Sequence, residues 1–169
     1  MDEKIQGWIN LYKPKRISSF LAIHKIKKKF KIKKIGHAGT LDPNASGILP
    51  VAINKTTKLI SYVTSDLKNY FFKVKWGEQT STDDSDGQVI KKSKKIPSKK
   101  QIQEVICSFL GYNYQVPPKA SAIKVNGKRA YAILRENKNF DLKPREVLLK
   151  SITLLNSDID ETNFEIECG

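Results

Sequence analysis

Apolar positions recur along this chain in two periods, near two and near 3.6, and they alternate with turn residues throughout. Gly7-Trp8-Ile9-Asn10-Leu11-Tyr12 reads as a short strand stopped by Lys13-Pro14, because proline holds the residue before it in extended backbone. Ser18 or Ser19 then caps a helix whose Phe20, Ile23, Ile26 and Phe30 recur at helical spacing, with Lys25, Lys28 and Lys29 largely on the other face. Residues 36–43 form a loop with two glycines and a proline. Gly47–Ile53 reads as a buried strand and residues 57–62 as a short helix.

The second half carries more period-two signal. Residues 70–76 alternate, with Tyr70, Phe72, Val74 and Trp76 on one face and Lys73 and Lys75 on the other, which predicts a strand. Ser98 and Gln101 make a capping box for a helix bearing Ile102, Val105, Ile106 and Phe109. Residues 121–125 and 128–131 flank Asn126-Gly127, a strong hairpin signal because both turn positions take positive φ. Residues 147–155 and 164–168 read as further strands. Helices interleaved with hairpins predict an α+β fold with a mixed, mostly antiparallel sheet flanked by helices.

Charge changes this picture of a plain globular fold. The 169 residues carry 31 Lys or Arg against 17 Asp or Glu, a formal charge of +14. Residues 1–60 hold 13 of those cations and only 3 acids, so the excess is mostly N-terminal. Seven lysines fall in the eleven positions 24–34, which is either the footprint of a phosphate-backbone binder or the solvated face of an amphipathic helix. A second run within residues 91–100 contains Pro97 and reads as a loop.

Hydrophobic residues at 39% and 15 aromatics exclude a disordered polycation. The longest nearly apolar stretch, residues 48–53, is too short to cross a membrane, so no membrane is expected. Residues 1–6 show no secretory signal, and Cys107 and Cys168 have neither disulfide nor zinc spacing, which leads to the expectation of a reducing cytoplasm.

Candidate chemistry concentrates in Gly36-His37-Ala38-Gly39-Thr40-Leu41-Asp42-Pro43. An aspartate held in such a turn can serve as nucleophile or base, and His37 can donate a hydrogen bond or stack on a base. Asp-Pro is also ordinary turn chemistry, and His37 could simply cap a strand. Thr82-Asp83-Asp84-Ser85-Asp86-Gly87 invites comparison with a calcium loop, but Ser93 stands where the bidentate acid belongs, so it reads as a polar turn without metal. Tyr70 reads as a core residue or as a cleft-facing strand end. No phosphate loop, dinucleotide fingerprint or nucleophile elbow occurs, so neither cofactor nor metal is expected.

The run Gly36-His37-Ala38-Gly39-Thr40-Leu41-Asp42-Pro43-Asn44-Ala45-Ser46-Gly47-Ile48-Leu49-Pro50-Val51 resembles the signature of the bacterial tRNA pseudouridine-55 synthases, the TruB family. Further blocks match in order: Gly7-Trp8-Ile9 with Lys13-Pro14, Lys68-Asn69-Tyr70, Gly77 with Thr82 to Gly87, Pro117-Pro118 with Ser121-Ala122-Ile123-Lys124, Gly127, Tyr131 and Arg145-Glu146-Val147. The closing residues 164–169 match as well, so the resemblance covers essentially the whole chain.

This resemblance implies an isomerase that converts a uridine in the T stem-loop of tRNA to pseudouridine, needing no cofactor and no obligate protein partner. It implies that Asp42 is the essential catalytic residue, that His37 fills the base's place in the stack or steadies the flipped base, and that Tyr70 stacks on the flipped uracil. Lys13 would support the active-site loop or the RNA, and Lys25, Lys28 and Lys29 would meet RNA phosphates. Ala120 departs from an aromatic usual in the family. Family members continue beyond the position of Gly169 into a strand bearing a catalytic arginine, and then into a small RNA-binding domain. Residues 1–169 are therefore expected to be a partial catalytic domain, inactive alone. A non-catalytic RNA-binding or tRNA-folding module is the competing expectation.

Overall fold

The computed structural model describes residues 5–64, 67–119, 121, 123–136, 138 and 140–169. The expectations resting on residues 1–4, Ala120 and Ala122, and on the side chain of Tyr131, lie outside that set. The chain divides into two compact units, Met1–Ser65 and Asp66–Gly169.

The first unit is a three-stranded antiparallel sheet backed by a helix. Strands β1 (Gly7–Lys13), β2 (Ile35–His37) and β3 (Gly47–Ile53) lie in the order β1-β3-β2. Helix α1 (Ser19–Lys29) starts at Ser18, whose hydroxyl accepts from the Leu21 N–H. Its Ile23 packs with Leu49 and Val51 of β3, and Ile9, Leu11, Ile35 and Leu41 close around them. Burying an aliphatic side chain of this kind is worth about 1.5–3 kcal/mol, so these residues hold the unit together.

The buried face of α1 is Ser19, Ala22 and Ile23 rather than the predicted row of Phe20, Ile23, Ile26 and Phe30. Phe20 and Phe30 are exposed, at 65% and 62%, because the face of α1 turned to the sheet is the one that carries Ser19, Ala22 and Ile23. β1 also runs through Lys13 instead of stopping before it. After β3 the chain makes a 3-10 turn over Asn54–Leu59 before the short helix α2 (Ile60–Val63), where the pattern predicted one helix over 57–62.

The second unit is built on a four-stranded antiparallel sheet. Its strands are β4 (Lys68–Lys75), β7 (Gly111–Gln115), β10 (Arg145–Ser157) and β11 (Glu161–Cys168), in the order β4-β11-β10-β7. A hairpin of β5 (Glu78–Thr80) and β6 (Val89–Lys92) precedes helix α3 (Lys99–Ile106), whose Ser98/Gln101 capping box forms as predicted. On the sheet, Phe72 and Phe164 are cross-strand partners with ring centroids 5.4 Å apart. The indole N–H of Trp76 donates to the fully buried hydroxyl of Thr162 at 2.8 Å. An apolar groove of about 680 Å³ runs between α3 and the sheet, lined by Phe72, Trp76, Ile102, Val105, Phe109 and Phe164.

Asn126 and Gly127 take φ 49 and 82, as the hairpin signal requires, between β8 (Lys124–Val125) and β9 (Lys128–Arg129). The second arm does not continue to residue 131, because helix α4 (Ala130–Arg135) begins there. Strands β2, β5 and β6 are short or polar and carry little alternation, so the pattern did not predict them; β7 was missed as well, although Tyr112 and Tyr114 alternate along it. The run at residues 91–100 is not all loop either, since β6 and α3 take its two ends. The α+β class holds, and every ladder among the described residues is antiparallel.

Candidate active site

Asp42 sits on the connection between β2 and β3, with its side chain exposed. Three residues between the end of β1 and the start of α1 hold that connection in place. Alternation along β1 turns Ile9, Leu11 and Lys13 to the same inward face, so the strand pattern carries a charged group into the interior. Lys13 is fully buried, and its ammonium donates to the carbonyls of Ala45 at 2.6 Å, Ile17 at 2.8 Å, Pro14 at 3.0 Å and Pro43 at 3.4 Å. Three ammonium protons facing four carbonyl oxygens satisfy a cation that has left water.

Ser19, in the first turn of α1, is the second tether. Its hydroxyl donates to the Leu41 carbonyl and accepts from the Leu41 N–H, both at 2.9 Å. Third, the Arg16 N–H donates to the Pro43 carbonyl at 2.7 Å. The residue before Asp42, the residue after it and Ala45 are therefore each fastened to residues 13–19, while the carboxylate itself remains in solvent. The Ala45 N–H closes the turn onto the Asp42 carbonyl at 3.0 Å. Such a mount fixes where the carboxylate stands and leaves it open to solvent.

His37 ends β2, half-buried, and one ring nitrogen pairs with the Gly39 carbonyl. Gly39 takes φ +94, a left-handed conformation that glycine adopts without strain and that lets the chain turn away from β2 toward Asp42. The first unit thus carries Lys13, His37 and Asp42, with Lys13 fastened to the residues after Asp42 and His37 at the β2 end of the same connection. Lys25, Lys28 and Lys29 are exposed on α1 at i, i+3 and i+4 spacing, with the Lys29 ammonium 5.7 Å from the Phe30 ring centroid. Tyr70 belongs to the second unit, on edge strand β4, and is 43% exposed rather than a core residue.

The sequence reading missed Ser19 and Arg16 as partners of the loop. It also missed the gathering of Lys33, Lys34, Lys55 and Lys58 around a pocket of about 190 Å³. Those four lysines come from two segments joined only by the fold, through reciprocal bonds between Lys34 and the buried Asn54. Among the described residues no group of acids, histidines or cysteines is arranged to hold a metal. No helix among them is long and apolar enough to cross a membrane. The loop Thr82 to Gly87 is a polar turn, in which the Asp86 N–H donates to the Asp84 carboxylate at 2.9 Å.

Residues 27–169 match the family model described as the TruB family pseudouridylate synthase N-terminal domain. The chain belongs to that family. TruB relatives include the tRNA pseudouridine synthase B of Rhizobium johnstonii, 47% identical over 98% of this chain and 54% of the relative. The protein of the same name from Ehrlichia chaffeensis is 47% identical over 96% of this chain and 55% of the relative. The chain thus spans about half the length of the curated relatives it matches.

Among solved structures, a Cbf5-Nop10-Gar1 complex superposes with a TM-score of 0.69 at 26% identity, over 96% of this chain and 39% of that one. An H/ACA RNP bound to a substrate RNA containing 2'-deoxyuridine gives a TM-score of 0.66 at 23% identity, over 96% and 37%, a likeness of fold alone.

Proposed function

We propose that this chain supplies the catalytic aspartate of a cytoplasmic enzyme that isomerises one uridine in the T loop of tRNA to pseudouridine. The observation that carries this reading is the mount of Asp42: a solvent-facing carboxylate on a loop tied to buried Lys13 and Ser19, in a member of the TruB family. A rigid loop presenting a solvent-facing acid suits a reaction that breaks the bond from C1′ to N1 of uracil and makes one from C1′ to C5.

The carboxylate can attack the ribose or the uracil, or take a proton from the sugar. In each case the base turns before it is rejoined, N1 gains a proton, and C5 loses one. The reaction is redox-neutral and needs no energy input. A uridine within the folded T loop must leave its stack to reach Asp42. His37, two residues before the Gly39 turn, is suited to steady the displaced base, and the exposed ring of Tyr70 is suited to stack on it. Lys25, Lys28 and Lys29 supply positive charge for the phosphate backbone.

The test is Asp42→Asn in the intact protein, assayed for pseudouridine in a tRNA substrate and, in parallel, for tRNA affinity. Asparagine keeps the loop's shape and removes the charge, so turnover should fall below detection while affinity stays within about threefold of the parent. Undiminished turnover would overturn the reading and favour a non-catalytic RNA-binding module.

A further inference from the structure

We infer that Arg16 is a phosphate-binding residue at the rim of the Asp42 loop, taking an RNA backbone phosphate through its guanidinium; this rests on the RNA reading proposed above.

Five residues other than glycine have positive φ among the described residues: Arg16, Lys31, Asn54, Asp83 and Asn126. Asn and Asp enter the left-handed region readily because their short side chains bond locally. Lys31 directly follows Phe30, the C-cap of α1, where a left-handed residue commonly terminates a helix. Arg16 has neither reason. It lies in the turn ahead of α1 at φ 66, a conformation that glycine adopts at no cost and that crowds the Cβ of arginine.

The backbone there is not negotiable. The Arg16 N–H holds Pro43, and the Pro14 and Ile17 carbonyls on either side hold the Lys13 ammonium. The fold therefore demands the strained φ, and the side chain does nothing to relieve it. Arg16 is exposed, and among the described residues nothing pairs with its guanidinium.

Strain kept at a functional loop, with a side chain that serves no structural purpose, points to work done outside the chain. The charge around it narrows what that work can be. Among described residues 5–64, Asp42 is the sole carboxylate side chain, and no ion pair joins it to Arg16. Lys15 stands beside Arg16, also exposed. A guanidinium in a basic, nearly acid-free unit, one hydrogen bond from the residue after Asp42, is placed for a bidentate phosphate contact with RNA lying over the loop.

The test uses Arg16→Gly, Arg16→Asn and Arg16→Lys in the intact protein. Affinity for a tRNA substrate is measured across a salt series, alongside steady-state kinetics and thermal unfolding. Gly and Asn should each lose about three- to tenfold in affinity, with the loss appearing in KM, and the slope of log K against log salt should shrink by about 0.7–0.9. Arg16→Lys should keep the slope. Arg16→Gly should unfold at the same temperature as the parent or higher, because it relieves the strain.

Parental affinity and slope in both neutral variants would overturn the inference. So would a loss confined to kcat, which would assign the guanidinium to Asp42, or a lower unfolding temperature in Arg16→Gly, which would assign it to stability. None of these outcomes bears on the Asp42→Asn result, so the two readings fail separately.

Discussion

The ammonium of Lys13 lies 2.6 Å from the carbonyl of Ala45, thirty-two positions later in the chain. A strand face that turns Ile9 and Leu11 inward also buries a cation, and that cation organises the turn bearing Asp42. The arrangement separates two jobs that one charged loop could not combine: the buried lysine fixes the backbone, and the exposed aspartate is left available to a substrate.

Lys13→Met nearly keeps the length of the side chain and removes the ammonium, leaving the Pro14, Ile17 and Ala45 carbonyls without that donor while the Pro43 carbonyl keeps the Arg16 N–H. Charge-assisted bonds of this kind are worth about 1.5–3 kcal/mol each when made, and a buried unsatisfied group costs about 1–3 kcal/mol. Partial rehydration of the loop offsets much of that, so a net loss of about 3 kcal/mol is expected in denaturant unfolding. Pseudouridine formation should fall as well, since Ala45 is released and Pro43 is left with the Arg16 N–H alone. A loss under about 1 kcal/mol would show that the lysine cage does not hold the loop.

Replacing Lys25, Lys28 and Lys29 together by Gln should leave stability within about 0.5 kcal/mol, because all three side chains are exposed. Their effect should appear in RNA binding, where every phosphate that is no longer neutralised lowers the salt slope by about 0.7–0.9. Filter binding of tRNA across a salt series reads this directly. An unchanged slope would return the stripe to an ordinary solvated helix face.

Glu78 joins two elements of the second unit, with its carboxylate 2.9 Å from the Lys75 ammonium and 3.4 Å from that of Lys92. The hydrogen bond and charge of Lys75, then Lys92, hold its carboxyl below the usual carboxylate range. The folded state therefore binds this proton less readily than the unfolded chain does. The stabilisation is present above the ordinary carboxylate pKa and is lost as pH falls through the lowered one. Glu78→Gln should unfold slightly earlier than the parent at about pH 7, and the two should coincide at about pH 2. The gap should also close in high salt, because the pair is exposed. Thermal unfolding at both pH values checks this; a gap that persists in acid would place the role of Glu78 elsewhere.

Much of this architecture was legible in residue patterns. The capping box at Ser98 and the Asn126-Gly127 turn are local devices, and both formed where the sequence put them. The alternation in β1 even carried the information that Lys13 points inward, two positions beyond Leu11, but the Lys-Pro pair read more readily as a strand end. Phe20 and Phe30 misled because helical spacing identifies an apolar row without saying which row the sheet can accept. Short strands such as β2 and β5 carry no period of their own and exist because a neighbour supplies their hydrogen bonds.

The sequence by itself determined the α+β class, the uneven charge, the turns and the motif that places Asp42 in a glycine-bounded loop. Those properties depend on neighbours a few positions away. Only the tertiary structure decided that Lys13, Arg16 and Ser19 converge on Leu41, Pro43 and Ala45, and that the guanidinium of Arg16 is left free at that junction. Such contacts link positions more than twenty residues apart, and their register is set by how β1, β3 and α1 pack. Local spacing carries no record of that packing, because many arrangements of the same elements would satisfy the same pattern.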